Sequence, residues 1–257
     1  MLLLLPPSEG KTAPDAGPPV DLDALAHPAL RPVREARLDA LRALSTGDQA
    51  AALKELKLGP RSAAELALNA DLLAAPAAPA WRVYTGVLFE RLALGTLSAA
   101  ARRRAQERVL VVSALWGVLR PGDVVPAYRC PAGARLPGVP TAKAHWRPAL
   151  DAVLPADGLV VDLRSGAYRD LWPGPAEGAT VAVDVVREQN GARTVVSHDA
   201  KATRGAVARA LLEDGGASRV RRPEGLAERV ARAGWDVELE PAKGPGDARR
   251  LVVVERA

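Results

Sequence analysis

Leu159-Val160-Val161-Asp162-Leu163-Arg164-Ser165-Gly166-Ala167-Tyr168 opens on an unbroken apolar run and closes on residues that cap, turn or bind. Such a run, with no polar alternation, reads as a strand in the core of the protein. Leu2 to Leu5 reads as another short buried strand, ended by Pro6-Pro7, and Val109 to Ser113 as a third. Helical spacing governs much of the rest. Val33, Leu38, Leu41 and Leu44 share a face within Pro32 to Leu44, and further helices are expected over Ala50 to Leu58, Ser62 to Leu73 and Thr141 to Leu154. Ser98 and Asp199 are N-cap residues for helices through Glu107 and Leu212, and a last helix is expected near Glu224 to Ala233. Ala179 to Val186 and Thr194 to Ser197 flank Asn190-Gly191 as a hairpin, although that connection is longer than a two-residue turn. Strands at Asp236 to Glu240 and Arg250 to Val254 close the chain. Helices and strands alternate without a regular βαβ rhythm. The expected fold is therefore α+β: one domain over residues 1–257, with a mixed central sheet wrapped by helices.

The 257 residues are 48% hydrophobic and 25% charged, ordinary values for a globular chain with a substantial core. The apolar start at Leu2 to Leu5 is too short for a signal peptide or a membrane span, which points to the cytoplasm and away from a membrane. Cys130 stands alone, so no internal disulfide forms, and the three His residues lack the spacing of a zinc site. No metal or other cofactor is expected. The formal charge of +5 favours anionic partners, nucleic acid among them, although an Arg- and Ala-rich composition supplies part of that charge. Lys is scarce and therefore informative. Where composition favours Arg, Lys11 and Lys201 mark places for an amine that can lose its proton on desolvation.

Four segments carry chemistry. Pro7-Ser8-Glu9-Gly10-Lys11-Thr12 follows a strand and has the Gly-Lys-Thr of a phosphate loop. The Walker pattern needs a further Gly where Leu5 stands, which excludes a nucleoside triphosphatase of that type. Ser8 and Lys11 remain candidates to meet an anion, against the plainer reading of a solvated turn. In Ser113 to Asp123, running on to Tyr128-Arg129, Gly117 and Gly122 allow close backbone approach to a phosphate, and Arg120 and Arg129 offer charge. The alternative there is a buried turn in which Asp123 pairs with an Arg. Ser165, Gly166 and Tyr168 lie at the carboxyl end of the central strand, where ligands often sit. A cap and a packed aromatic explain them equally well. Finally, Lys201, Arg204 and Gly205 fall on one arc near a helix start, where cations are disfavoured unless they share an anion. His198 beside Asp199 is read as structural, since neighbours in an extended segment point apart.

Taken together, these segments resemble the YaaA family, whose members are linked to peroxide stress. The matching blocks are the Lys11-Thr12 loop, Tyr84-Thr85-Gly86, Ser113 through Tyr128-Arg129, Trp146, Ser165 to Tyr168 and Ala200-Lys201 through Gly205. The resemblance implies a single-domain α+β fold with a positively charged cleft. It also implies a helix-hairpin-helix-like element, its hairpin around Ser113 to Asp123, that binds DNA, with a role in limiting oxidative DNA damage.

Two functions compete. The first is binding of double-stranded or damaged DNA without turnover, through Ser8, Lys11, Gly117, Arg120, Tyr128, Arg129, Ser165, Tyr168, Lys201 and Arg204, with strong salt dependence and little base readout. The second is an enzyme acting on a nucleobase, nucleotide or damaged DNA. In that case Lys11 or Lys201 is the nucleophile and Asp123 the general acid or base. Iron sequestration finds no ligand cluster.

Overall fold

The computed structural model describes residues 1–59, 62–175, 179–195, 198–242, 244 and 247–256. In chain order the strands are β1 (Leu2–Leu5), β2 (Ala78–Pro79), β3 (Val109–Ser113), β4 (Gly117–Leu119), β5 (Val124–Val125), β6 (Leu159–Asp162), β7 (Ala179–Gln189), β8 (Ala192–Val195), β9 (Asp236–Glu240) and β10 (Arg249–Arg256). The helices are α1 (Arg31–Thr46), α2 (Gln49–Glu55), α3 (Ala63–Ala70), α4 (Ala80–Val83), α5 (Val87–Leu92), α6 (Ala99–Arg108), α7 (Ala142–Val153), α8 (Gly166–Arg169), α9 (His198–Glu213) and α10 (Pro223–Arg232).

An eight-stranded mixed sheet runs β4-β3-β1-β6-β7-β10-β9, with β8 paired to β7. Its middle is parallel, β3 to β1 to β6 to β7 to β10, and the antiparallel pairs sit at β4, β8 and β9. Helices on both faces explain why Leu3, Leu4 and Leu5, and every residue of β3 and β6, are buried without alternation. The expected mixed sheet is present. Its parallel centre escaped the sequence reading because the connection from β1 to β3 spans residues 6–108 and hides the βαβ rhythm.

The edge strand β4 is buried, and its outward carbonyls need donors. Arg34, itself fully buried on α1, supplies them: Nε donates to Trp116 O at 3.1 Å and a terminal nitrogen to Val118 O at 3.0 Å. A guanidinium thus takes the place of a neighbouring strand.

Two local expectations change. Ser113 to Asp123, expected as the hairpin between two helices, is a β-hairpin of β3 and β4, with Ser113 opposite Gly117. The β-branched and Leu residues on either side of Ala114-Leu115-Trp116 pair across that turn, and all three turn residues are buried. Asn190-Gly191 is in fact a two-residue turn with both φ values positive, because β7 continues to Gln189 and β8 starts at Ala192. The Val196-Ser197 end of the expected second strand, and the side chains of His198 and Asp199, lie outside the described residues.

Candidate functional site

The chain leaves β1 toward β3 on one side of the sheet, then returns past β1 to β6 on the other. That reversal opens a crevice beyond the carboxyl ends of β1 and β6, where open α/β sheets bind ligands. A cleft of about 590 Å³ occupies this position. Pro6, Pro7 and Ser8 line it from the end of β1, Leu163 from the end of β6, Val87 and Phe89 from α5, and Lys201 and Arg204 from α9. The volume falls in the roughly 300–1,000 Å³ range of small-molecule sites.

At its β7 side the cleft carries an unusual charge arrangement. Asp184 accepts from three arginines on three different elements: Arg250 Nε at 2.8 Å, and terminal nitrogens of Arg169 at 3.1 Å and Arg204 at 3.2 Å. Burial opposes the carboxylate, but donation from Arg250 and the charge of Arg169 prevail and hold its pKa below the usual value. Arg204 is also fixed by donating to Val183 O at 2.8 Å, and Arg250 by Glu240 at 2.9 Å. Lys201 lies one turn before Arg204 and is exposed on the cleft wall.

The loop after β6 is built around a buried ion pair. Asp162 and Arg164 are two apart in extended chain, so both side chains point the same way. Arg164 grips Asp162 with two parallel bonds of 2.8 Å, then donates to Tyr168 O at 2.9 Å and Trp172 O at 2.7 Å. Four of its five N–H groups are spent on holding residues 162–172 in shape. That framework presents Ser165, Gly166, Tyr168 and Arg169 to the cleft.

Behind the Ser8–Gly10 loop lies a second polar cluster. Thr85 N–H donates to Ser8 Oγ at 3.0 Å, Thr12 N–H donates to Val83 O at 2.9 Å, and Lys11 pairs with Tyr84 in an isolated antiparallel bridge. Lys11 Nζ donates to Ser8 O at 2.8 Å and sits 4.2 Å from the centre of the Tyr128 ring. Burial, with Arg129 nearby, lowers its pKa to about 7. The Tyr84 hydroxyl meets Tyr128 at 2.9 Å and Tyr128 meets Ser113 at 2.6 Å, a buried chain of three hydroxyls. Burial pushes both tyrosines above the usual phenol value.

The family model described as peroxide stress protein YaaA matches residues 1–238. The chain belongs to the YaaA family. Among its curated relatives, a UPF0246 protein of Streptomyces coelicolor is 46% identical over 251 residues, covering 95% of each chain. A UPF0246 protein of Corynebacterium efficiens is 42% identical over 259 residues, covering 98% of this chain and 100% of its own.

Against the blocks that carry the YaaA resemblance, the fold divides the candidate residues into three groups. Ser8, Ser165, Tyr168, Lys201 and Arg204 line the cleft. Lys11, Tyr128 and Arg129 gather behind the Ser8–Gly10 loop, where Arg129 exchanges bonds with Asn69 and donates to Glu9 O at 3.4 Å. Gly117, Arg120 and Asp123 lie at neither place. Gly117, at φ +73°, packs against the Trp146 ring, and Arg120 donates to Gln106 O at 2.6 Å. Asp123 closes its turn by accepting from Arg120 N–H at 3.0 Å and Ala26 N–H at 3.1 Å. Lys11 and Lys201 do not line the same wall.

Arg169, Asp184 and Arg250 are functional candidates that the sequence reading missed. A signal was present: Asp184 interrupts Val181-Ala182-Val183 and Val185-Val186 in a strand otherwise apolar throughout that stretch. Among the described residues, no group of three or more His, Cys, Asp or Glu is placed to hold a metal ion, and no helix is long and apolar enough to cross a membrane.

Proposed function

We propose that this YaaA-family protein binds DNA at the cleft, with the cations of its β7 side engaging the sugar–phosphate backbone. One observation carries the reading: Arg169, Arg204 and Arg250 share the single carboxylate of Asp184, while Lys201 stands exposed beside them. Glu240 serves Arg250 as well, but Asp184 is divided among three guanidinium groups and Lys201 adds a fourth cation, so positive charge is in excess on this part of the wall, and phosphate is the anion that arginine forks match best. The position of Lys201 in the first turn of α9 supports the same reading, because the helix dipole there repels cations and welcomes an anion.

Fluorescence anisotropy with a labelled duplex tests it. Affinity is expected to fall steeply with salt, by about 0.9 in log–log slope per phosphate contacted. Lys201→Ala is expected to weaken binding and reduce that slope by about one contact. Arg222→Ala, at a side chain 82% exposed outside the cleft, serves as the control and leaves both unchanged. A duplex that fails to bind at low salt, or a Lys201→Ala protein that binds like wild type, refutes the proposal.

A second reading, an enzyme with Lys11 as nucleophile, is favoured by the depressed pKa of that amine and the hydroxyl chain beside it. It requires the Ser8–Gly10 loop to open Lys11 to the cleft. Borohydride trapping of Lys11 on abasic DNA is its test; wild type that forms no adduct, or Lys11→Ala that still does, counts against it.

A further inference from the structure

We infer that the cleft is shaped for one nucleotide unit, with the base between its apolar walls at the β1 end and the 5′-phosphate at the arginine end. The inference deepens the nucleic-acid reading above and rests on it. It states what enters the cleft rather than what passes over it.

The two ends of the cleft differ in chemistry, and the sheet fixes their separation. Pro6 and Pro7 follow β1, whereas Asp184 lies on β7, two strands away across β6. At roughly 4.8 Å per strand the two ends stand about 10 Å apart, commensurate with the reach from a base to its own phosphate. On the β1 side Pro6, Pro7, Val87 and Tyr168 offer apolar and aromatic surface, next to Ser8 and Glu9. Bases bind such surface by stacking and burial, with little regard for sequence. On the β7 side Arg169, Arg204 and Arg250 surround the Asp184 carboxylate, and Lys201 lines the same cleft. A bare anion would use only that side, and duplex DNA lying across the mouth would leave the apolar side empty. A ligand with a flat apolar body and an anionic phosphate end uses both.

The same chemistry is offered by a free nucleoside 5′-monophosphate and by a nucleotide turned out of DNA. Extrusion is the route by which proteins reach a base in a duplex, and it costs least at unpaired positions.

Gly166 gives a clean way to block the cleft. It lines the wall, is exposed, has an ordinary φ, and a Cβ built there meets no atom within 4 Å. Gly166→Trp is therefore expected to fill space at the cleft wall, and an unchanged melting temperature checks that the packing is undisturbed.

Calorimetric titration of the full chain is run with four nucleoside 5′-monophosphates, the matching nucleosides and inorganic phosphate. At least one monophosphate is expected to bind at least tenfold more tightly than either its nucleoside or phosphate, and Gly166→Trp is expected to lose at least tenfold. In parallel, a duplex with one unpaired base and a fully paired duplex are titrated into both proteins. Preference for the unpaired site in wild type, abolished in Gly166→Trp, identifies DNA as the source of the nucleotide. Binding of the monophosphate with no such preference identifies the free nucleotide. Phosphate binding as tightly as every monophosphate overturns the inference, as does monophosphate binding that survives Gly166→Trp or is absent. If paired duplex still binds in a Lys201-dependent way in that last case, DNA binding stands without the nucleotide pocket. If the monophosphate binds and no duplex does, the DNA reading fails and the pocket stands.

Discussion

Gly205 on α9 lies so close to Leu88 on α5 that a Cβ at position 205 would stand 2.2 Å from the Leu88 carbonyl oxygen. Only glycine allows that approach, and the two helices that meet there carry facing parts of the cleft. Backbone cannot move aside as a flexible side chain can. Gly205→Ala is therefore expected to push α5 and α9 apart at a cost of roughly 1–3 kcal/mol, the usual range for overpacking. For a chain of this size each kcal/mol lowers the melting temperature by about 2–4 °C. Calorimetry of the variant checks this, and an unchanged melting temperature would mean that the helices slide to accommodate the methyl group.

The Arg34 guanidinium offers a separate test, at the opposite side of the sheet. Its bonds to Trp116 O, Val118 O and, at 2.6 Å, Ala26 O satisfy carbonyls that no strand reaches. Arg34→Met keeps much of the apolar bulk but strands those acceptors away from water, at roughly 1–3 kcal/mol for each buried group left unpaired. A large fall in the urea midpoint with an unchanged m-value is expected. Arg34→Lys recovers only part of it, because one ammonium cannot reproduce a planar fork.

How much of this was legible in the sequence depends on whether the signal was local. The central strands were, because Leu2 to Leu5, Val109 to Ser113 and Leu159 to Asp162 are apolar on both faces and stop at prolines, turns or charges. Ser98 was legible as a cap and does accept from Ala101 N–H at 3.2 Å. The switch point was not, since strand order is set by contacts across a hundred residues and leaves no mark on either strand. The cleft was half legible. Ser165, Tyr168, Lys201 and Arg204 stand out in short, composition-rich segments, whereas Arg250 is an unremarkable charge at the start of a late strand until β10 pairs with β7 and brings it to Asp184. Gly117 and Asp123 lie away from the cleft. Glycine and a carboxylate beside arginines look like ligand-binding groups, yet close packing against Trp146 and turn closure demand the same residues.

Lys11 makes stability depend on pH in a direction opposite to that of a lysine held in an ion pair. Its pKa falls from 10.5 in the unfolded chain to about 7 in the fold, mainly through burial and then through Arg129. Between those values the unfolded state binds the proton and the folded state does not, so this residue makes stability rise as pH rises from about 7 toward 10. Below about 7 both states hold the proton and its cost is present in full. Subtracting the profile of Lys11→Met from that of wild type isolates the effect. The difference is expected to move in favour of wild type from pH 7 to pH 9, and a flat difference would show that Lys11 keeps an ordinary pKa.

Asp184 separates the stability of the fold from the affinity of the cleft. Its lowered pKa means that the carboxylate stabilises the fold above about its unfolded value of 3.8, and that this contribution is lost as pH falls through the folded pKa. Asp184→Asn should then be less stable than wild type at pH 7 and converge with it in acid. The same substitution removes the one anion that Arg169, Arg204 and Arg250 share, so a phosphate ligand no longer competes with it. One charge at about 4 Å in water is worth roughly 1 kcal/mol, which predicts an affinity gain for DNA of about fivefold. Paired anisotropy and melting measurements decide between two roles. Stability that falls while affinity rises makes Asp184 a counter-ion that a phosphate overcomes. Stability and affinity that fall together make it the residue that aims the three guanidinium groups, since arginines freed from their anchor then miss the ligand.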